Sequence, residues 1–170
     1  MSDPSAIRRA IAALRAGRTV RIEAPQPLTV VAVETATGEL LDLVDPNRRG
    51  RLLISGERAA ALSLTNERDA ADPHAPVLVE RAPWLDAAAA LAVADPGRDL
   101  ERGPLGPLHP LPVDCAEAAR AALGLARSAG LLPALWIVDD QPSAASVAAD
   151  DIDRRRQAAA VALVARARLP

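Results

Sequence analysis

Phenylalanine, tyrosine and lysine are absent from this chain, which has one cysteine and two tryptophans among its 170 residues. Without aromatic platforms it lacks the stacking surfaces that single-stranded nucleic acids require. Its 20 basic residues, all arginine, face 22 acidic ones for a net charge of −2, so no electrostatic case for a nucleic-acid partner arises. A lone Cys115 excludes an intramolecular disulfide and a four-cysteine zinc site. No apolar run reaches the length a membrane helix needs. The N-terminus is polar and Arg-containing with no apolar stretch behind it, so no signal peptide is expected. Together these absences point to a cytoplasmic protein with no nucleic-acid and no membrane partner.

What is present suits one domain: 50% of the residues are hydrophobic, enough for a single core. Alanine, leucine and valine must fill it. Small side chains let elements approach closely but each buries little area, so modest stability, or stability borrowed from a partner surface, is expected.

Ile7, Ala10, Ile11 and Leu14 recur at helical spacing after Asp3 and Pro4, a cap and first-turn proline, and Gly17 ends the pattern. Thr19 to Ile22 and Leu28 to Val33 are β-rich runs around the proline-bounded spacer Glu23-Ala24-Pro25-Gln26-Pro27. Thr37 to Val44 is predicted as a short helix capped by Thr37. Arg51 to Ser55 reads as a strand, with a helix opening at Ser55 or Gly56. Asn66 to Pro76 is predicted as a loop, Val77 to Glu80 as a strand and Trp84 to Val93 as a helix. Asp95 to Pro112, with five prolines and three glycines, is predicted as an ordered loop with little regular structure. Asp114 is placed as the cap of a helix to about Ala129, closed by Gly130. Leu135 to Val138 is predicted as the last strand, Asp139 to Ser146 as a polar spacer, and Asp150 to Ala167 as an Arg-rich amphipathic helix. Interleaved strands and helices imply a sheet covered by helices.

Several of these segments resemble dihydroxybutanone phosphate synthase, which makes the four-carbon precursor of riboflavin. Ala12-Ala13-Leu14-Arg15-Ala16-Gly17-Arg18-Thr19-Val20 is similar to the family's opening helix, glycine and first strand, and Val30 to Thr37 to its second strand and turn. Arg51 to Leu64 resembles its "G-x-L-I-C-x-x-x-x-x-R-A-x-x-L-x-L" segment. Val77 to Ala94 stands in the place of its "T-V-S-I-D" strand and following helix. Asp114-Cys115-Ala116-Glu117-Ala118-Ala119 sits where the family has "G-H-T-E-A", and Leu125 to Leu131 is similar to "L-A-x-x-A-G-L". The resemblance spans the chain in element order. It implies an α+β, α/β-like fold with a mixed sheet covered by helices on both faces, and a homodimer.

The departures bear on chemistry. The resemblance implies catalysis by an acidic run, "D-D-E-D-R-E-N-E-G-D", between the first two strands and by the His of "G-H-T-E-A", because clustered carboxylates hold magnesium and move protons on a sugar phosphate. Here the acidic loop is reduced to Glu23 and its prolines. Cys115 replaces the His, Ala116 the Thr, and only Glu117 of that group is kept. No catalytic residues, no cofactor and no metal are therefore expected, and Glu23, Cys115, Glu117 and His109 remain as candidates for a remnant pocket. Residues 1–145 then form the synthase-like body. Residues 146–170 form a C-terminal amphipathic helix that resembles the one leading to the GTP cyclohydrolase II domain in fused riboflavin proteins. That domain's zinc needs three cysteines, which this chain lacks.

Other candidates have bland and sharp readings. Cys115, with Glu117 and His109, is either a thiol or metal site at a helix start or a small residue packed there. His74 and His109 read as exposed loop histidines. Asp139 and Asp140 either bind a cation beyond a strand end or merely end the strand. Arg154, Arg155, Arg156, Arg166 and Arg168 either bind phosphate or a nucleotide or form a solvated face beside Asp150, Asp151 and Asp153. Trp84 and Trp136 read as packing residues. The expected function is a non-catalytic structural, oligomerisation or regulatory domain, homodimeric and partnered with a GTP cyclohydrolase II catalytic domain in cis or trans. The alternative is an enzyme with a remodelled pocket acting on a small sugar phosphate or nucleotide.

Overall fold

The apolar stripe near the N-terminus becomes α1 (Pro4–Arg15), which buries Ala6, Ile7, Ala10, Ala13 and Leu14. Gly17 turns the chain out of it at φ 67°, and a Cβ there would lie 3.0 Å from the carbonyl oxygen of Thr35. The protein is described by a computed structural model covering residues 4–101, 103, 106–138 and 141–166, with side chains to 159. Asp3, Asp139, Asp140, Arg168 and the Arg166 side chain, all read as candidates above, lie outside the described residues.

The strands are β1 (Val20–Glu23), β2 (Leu28–Ala32), β3 (Arg51–Ile54), β4 (Val77–Glu80), β5 (Pro110–Leu111), β6 (Ala134–Ile137) and β7 (Ala145–Ala148). They form one seven-stranded mixed sheet in the order β5-β4-β3-β6-β2-β1-β7. Only β1 and β7 pair in parallel; the other neighbours are antiparallel. Alternation along the strands sends side chains to two separate cores. Val20, Ile22, Val30, Leu53, Leu78, Leu135 and Ile137 face α1, α5 (Ala116–Ser128) and α6 (Ala149–Arg166). Val31, Leu52, Ile54, Val77, Val79 and Trp136 face α2 (Gly38–Val44), α3 (Gly56–Ala61) and α4 (Ala87–Ala94). The fold is α+β, with helices on both faces of a mixed sheet.

Small residues make the first of these layers close. α5 buries Ala118, Ala119, Ala121, Ala122 and Ala126 against the sheet and its neighbouring helices, trading area per residue for short approach. Ile152 of α6 is buried in the same core. Three capping signals act as the residue types suggest. Thr37 accepts from Leu40 N at 3.2 Å and Ser55 from Arg58 N at 3.2 Å. Gly130 follows α5 at φ 71°.

Other local expectations are corrected. The segment Asp139 to Ser146 is not spacer throughout, and β6 is not the last strand: β7 follows it, drawn into register with β1 from Val20↔Ala145 to Glu23↔Ala148. α4 begins at Ala87 with Asp86 as its cap, not at Trp84, because the Asp86 carboxylate accepts from Ala89 N at 2.8 Å. Asp114 does not cap α5; Cys115 occupies that position, and its side chain makes no capping bond. The loop Asn66 to Pro76 holds a one-turn 3-10 helix, Arg68–Ala70. The proline-rich stretch holds another, Pro96–Arg98, together with β5. β5 tolerates Pro110 because it is an edge strand.

Candidate functional site

β1 and α5 bring two sequence-distant segments together. The loop after β1 and the start of α5 line one open cavity of about 380 Å³, formed by Ala24, Pro25, Gln26, Asp114, Cys115, Ala116, Glu117 and Ala118. Three of the eight are alanines and one is proline. Gln26, Asp114, Cys115 and Glu117 supply its polarity. Cys115 is half-buried against the α1/α5/α6 core, and Asp114 and Glu117 are exposed.

Glu23, the remaining carboxylate of the loop, is not part of this cavity. The sequence reading ends the strand at Ile22; the strand runs one residue further, and strand alternation then decides where Glu23 points. Ile22 faces the α5 side of the sheet, so Glu23 faces the other. Its Oε1 accepts from Arg21 Nε at 3.0 Å and from Ser146 Oγ at 2.8 Å, across the β1–β7 pair. Glu23 and Glu117 therefore do not converge on a common point. His109 is exposed and also outside the cavity; its backbone carbonyl accepts from Glu80 N at 3.0 Å. Of the four remnant-pocket residues, Cys115 and Glu117 are brought together, and Glu23 and His109 are not.

A hard divalent cation takes several oxygen ligands; the cavity offers side-chain oxygens of Gln26, Asp114 and Glu117, and among the described residues no group of three or more His, Cys, Asp and Glu side chains is arranged to hold a metal.

A second cavity, of about 200 Å³, takes in one of the phosphate candidates named from the sequence, Arg156, and two arginines that were not, Arg120 and Arg127. Arg120 and Arg127 from α5 and Arg156 from α6 line it together with His74 and Glu57. Arg120 and Arg127 stand seven residues apart on one helical face, a signal visible in the sequence; the arrival of Arg156 is set by the packing of α6 on α5. The arginine triplet divides accordingly. Arg154 turns to Asp151 within its own helix, and Arg156 turns toward α5.

Among the described residues, no helix is long and apolar enough to cross a membrane. No protein-family model matches the chain, and no curated protein matches it.

Proposed function

We propose that this chain is a non-catalytic domain of dihydroxybutanone phosphate synthase ancestry, cytoplasmic and homodimeric, that supports a GTP cyclohydrolase II module in cis or trans. One observation carries the non-catalytic part: the Glu23 carboxylate is turned to Arg21 and Ser146, away from the cavity that Cys115 and Glu117 line. Proton transfer on a sugar phosphate needs its acids and bases within reach of one substrate. Here alanine and proline occupy much of the wall where those groups would have to stand. The same geometry weighs against the alternative, a remodelled enzyme using Glu23, Cys115, Glu117 and His109 together. The mixed sheet with helices on both faces agrees with the architecture the resemblance implies, and the segment likeness supports the riboflavin assignment.

The partner is tested by adding a separately produced GTP cyclohydrolase II module and following elution and thermal unfolding of the chain. A partner at about 100 times its Kd stabilises by about 2.7 kcal/mol, which raises the Tm of a domain of this size by roughly 5–11 °C. Co-elution with such a rise is the expected result. Unchanged elution and an unchanged Tm overturn the assignment.

A further inference from the structure

The geometry points to the cavity between α5, α6 and the loop around His74 as a binding site for the phosphoryl group of a small anion. Arg120, Arg127 and Arg156 line it together with His74, and Glu57 is its one carboxylate. Glu57 does not neutralise the site: its side chain is 68% exposed and it meets only Arg127, at 3.2 Å. Arg156 forms a long, exposed ion pair with Asp153 of its own helix, at 3.7 Å. Among the described residues the Arg120 guanidinium has no hydrogen-bond or ion-pair partner. Against three guanidinium groups stand the carboxylates of Glu57 and Asp153, which leaves an excess of positive charge for an anion to offset. Guanidinium forks match phosphate oxygens in pairs, which makes arginine the natural residue for the task.

Arg156 of α6 lies across Gly124 of α5. A Cβ at that glycine would lie 2.7 Å from Arg156 Cδ and 3.2 Å from its Nε, so the bare backbone makes the room in which the side chain lies. Glycine weakens a helix interior relative to alanine, yet Gly124 stands inside the alanine-rich α5. The cavity of about 200 Å³ suits a phosphoryl group with a small substituent better than a whole nucleotide. It shares no lining residue with the Cys115 cavity, so the inference stands apart from the riboflavin assignment.

Isothermal titration at constant ionic strength, set with chloride, tests the site using inorganic phosphate and, separately, glycerol 3-phosphate. Saturable binding of at least one is expected. Equal affinities mean that the phosphoryl group alone is recognised, and tighter binding of glycerol 3-phosphate means that its substituent contributes. Arg120→Gln and Arg156→Gln should each weaken binding about tenfold, the scale of one lost charge-assisted contact, while Arg8→Gln on α1 leaves it unchanged. Arg120 is exposed, so its variant decides the matter if Arg156→Gln fails to fold. No saturable heat with either ligand up to about 10 mM, or affinity unchanged in Arg120→Gln with native circular dichroism, overturns the site.

Discussion

Replacing Arg81 by methionine is expected to destabilise the fold by about 3–5 kcal/mol, the range found when one partner of a buried ion pair is removed. The Arg81 side chain is 2% exposed and that of Asp45 is 7% exposed, and Arg81 Nη1 donates to Asp45 Oδ2. Asp45 also holds the turn after α2, accepting from Arg49 N and Gly50 N at 2.8 Å each. Without the guanidinium its carboxylate is left buried with two backbone donors and no countercharge, and the methionine cannot supply one. Arg81 also lies over the Trp136 ring, 5.1 Å from its centroid, a contact of the cation–π kind that the substitution removes. Urea unfolding followed by circular dichroism measures the loss. A fall below about 1 kcal/mol would mean that the pair is solvated in a way its burial does not suggest.

Trp136→Ala should cost a similar amount, about 3–5 kcal/mol, for a different reason. Trp136 is fully buried in the central strand β6, opposite Val31 on β2 and Leu52 on β3. All three face the α2/α3/α4 core. That core contains no Phe or Tyr, and its other members are alanine, valine, leucine and isoleucine, with half-buried Trp84 at its margin. None of them has the volume to refill the space, so a cavity persists and its cost adds to the lost burial. Among the described residues the indole Nε1 has no hydrogen-bond partner, so removing it relieves a small penalty without changing the sign. The same urea titration reads this variant. A loss under about 1.5 kcal/mol would show that the helices collapse onto the sheet to close the gap.

The elements legible in the sequence are those whose signals are local. α1 announces itself by spacing, and Thr37 and Ser55 by the side-chain oxygens that cap α2 and α3. β7 carries no such signal: Val147 is its one fully buried residue, and its strand form comes from parallel pairing with β1, more than a hundred residues earlier. The helix start at Ala87 depended on Asp86 outcompeting the Pro83-Trp84 signal. At the site, residues 24–26 meet the start of α5, some ninety positions later, which no local pattern encodes. The direction of Glu23 turned on a one-residue extension of β1, which period-two geometry converts into the opposite face. The arginine cavity was half visible, in the spacing of Arg120 and Arg127. Its third member depends on α6 lying over Gly124, a contact no local pattern encodes.

The most direct test of the account is a magnesium-dependent turnover assay of the purified chain with ribulose 5-phosphate. With Glu23 held by Arg21 and Ser146 and a thiol, Cys115, where the synthase it resembles has a histidine, no product should form above the enzyme-free control. Product formation that scales with chain concentration and stops on adding chelator would contradict it.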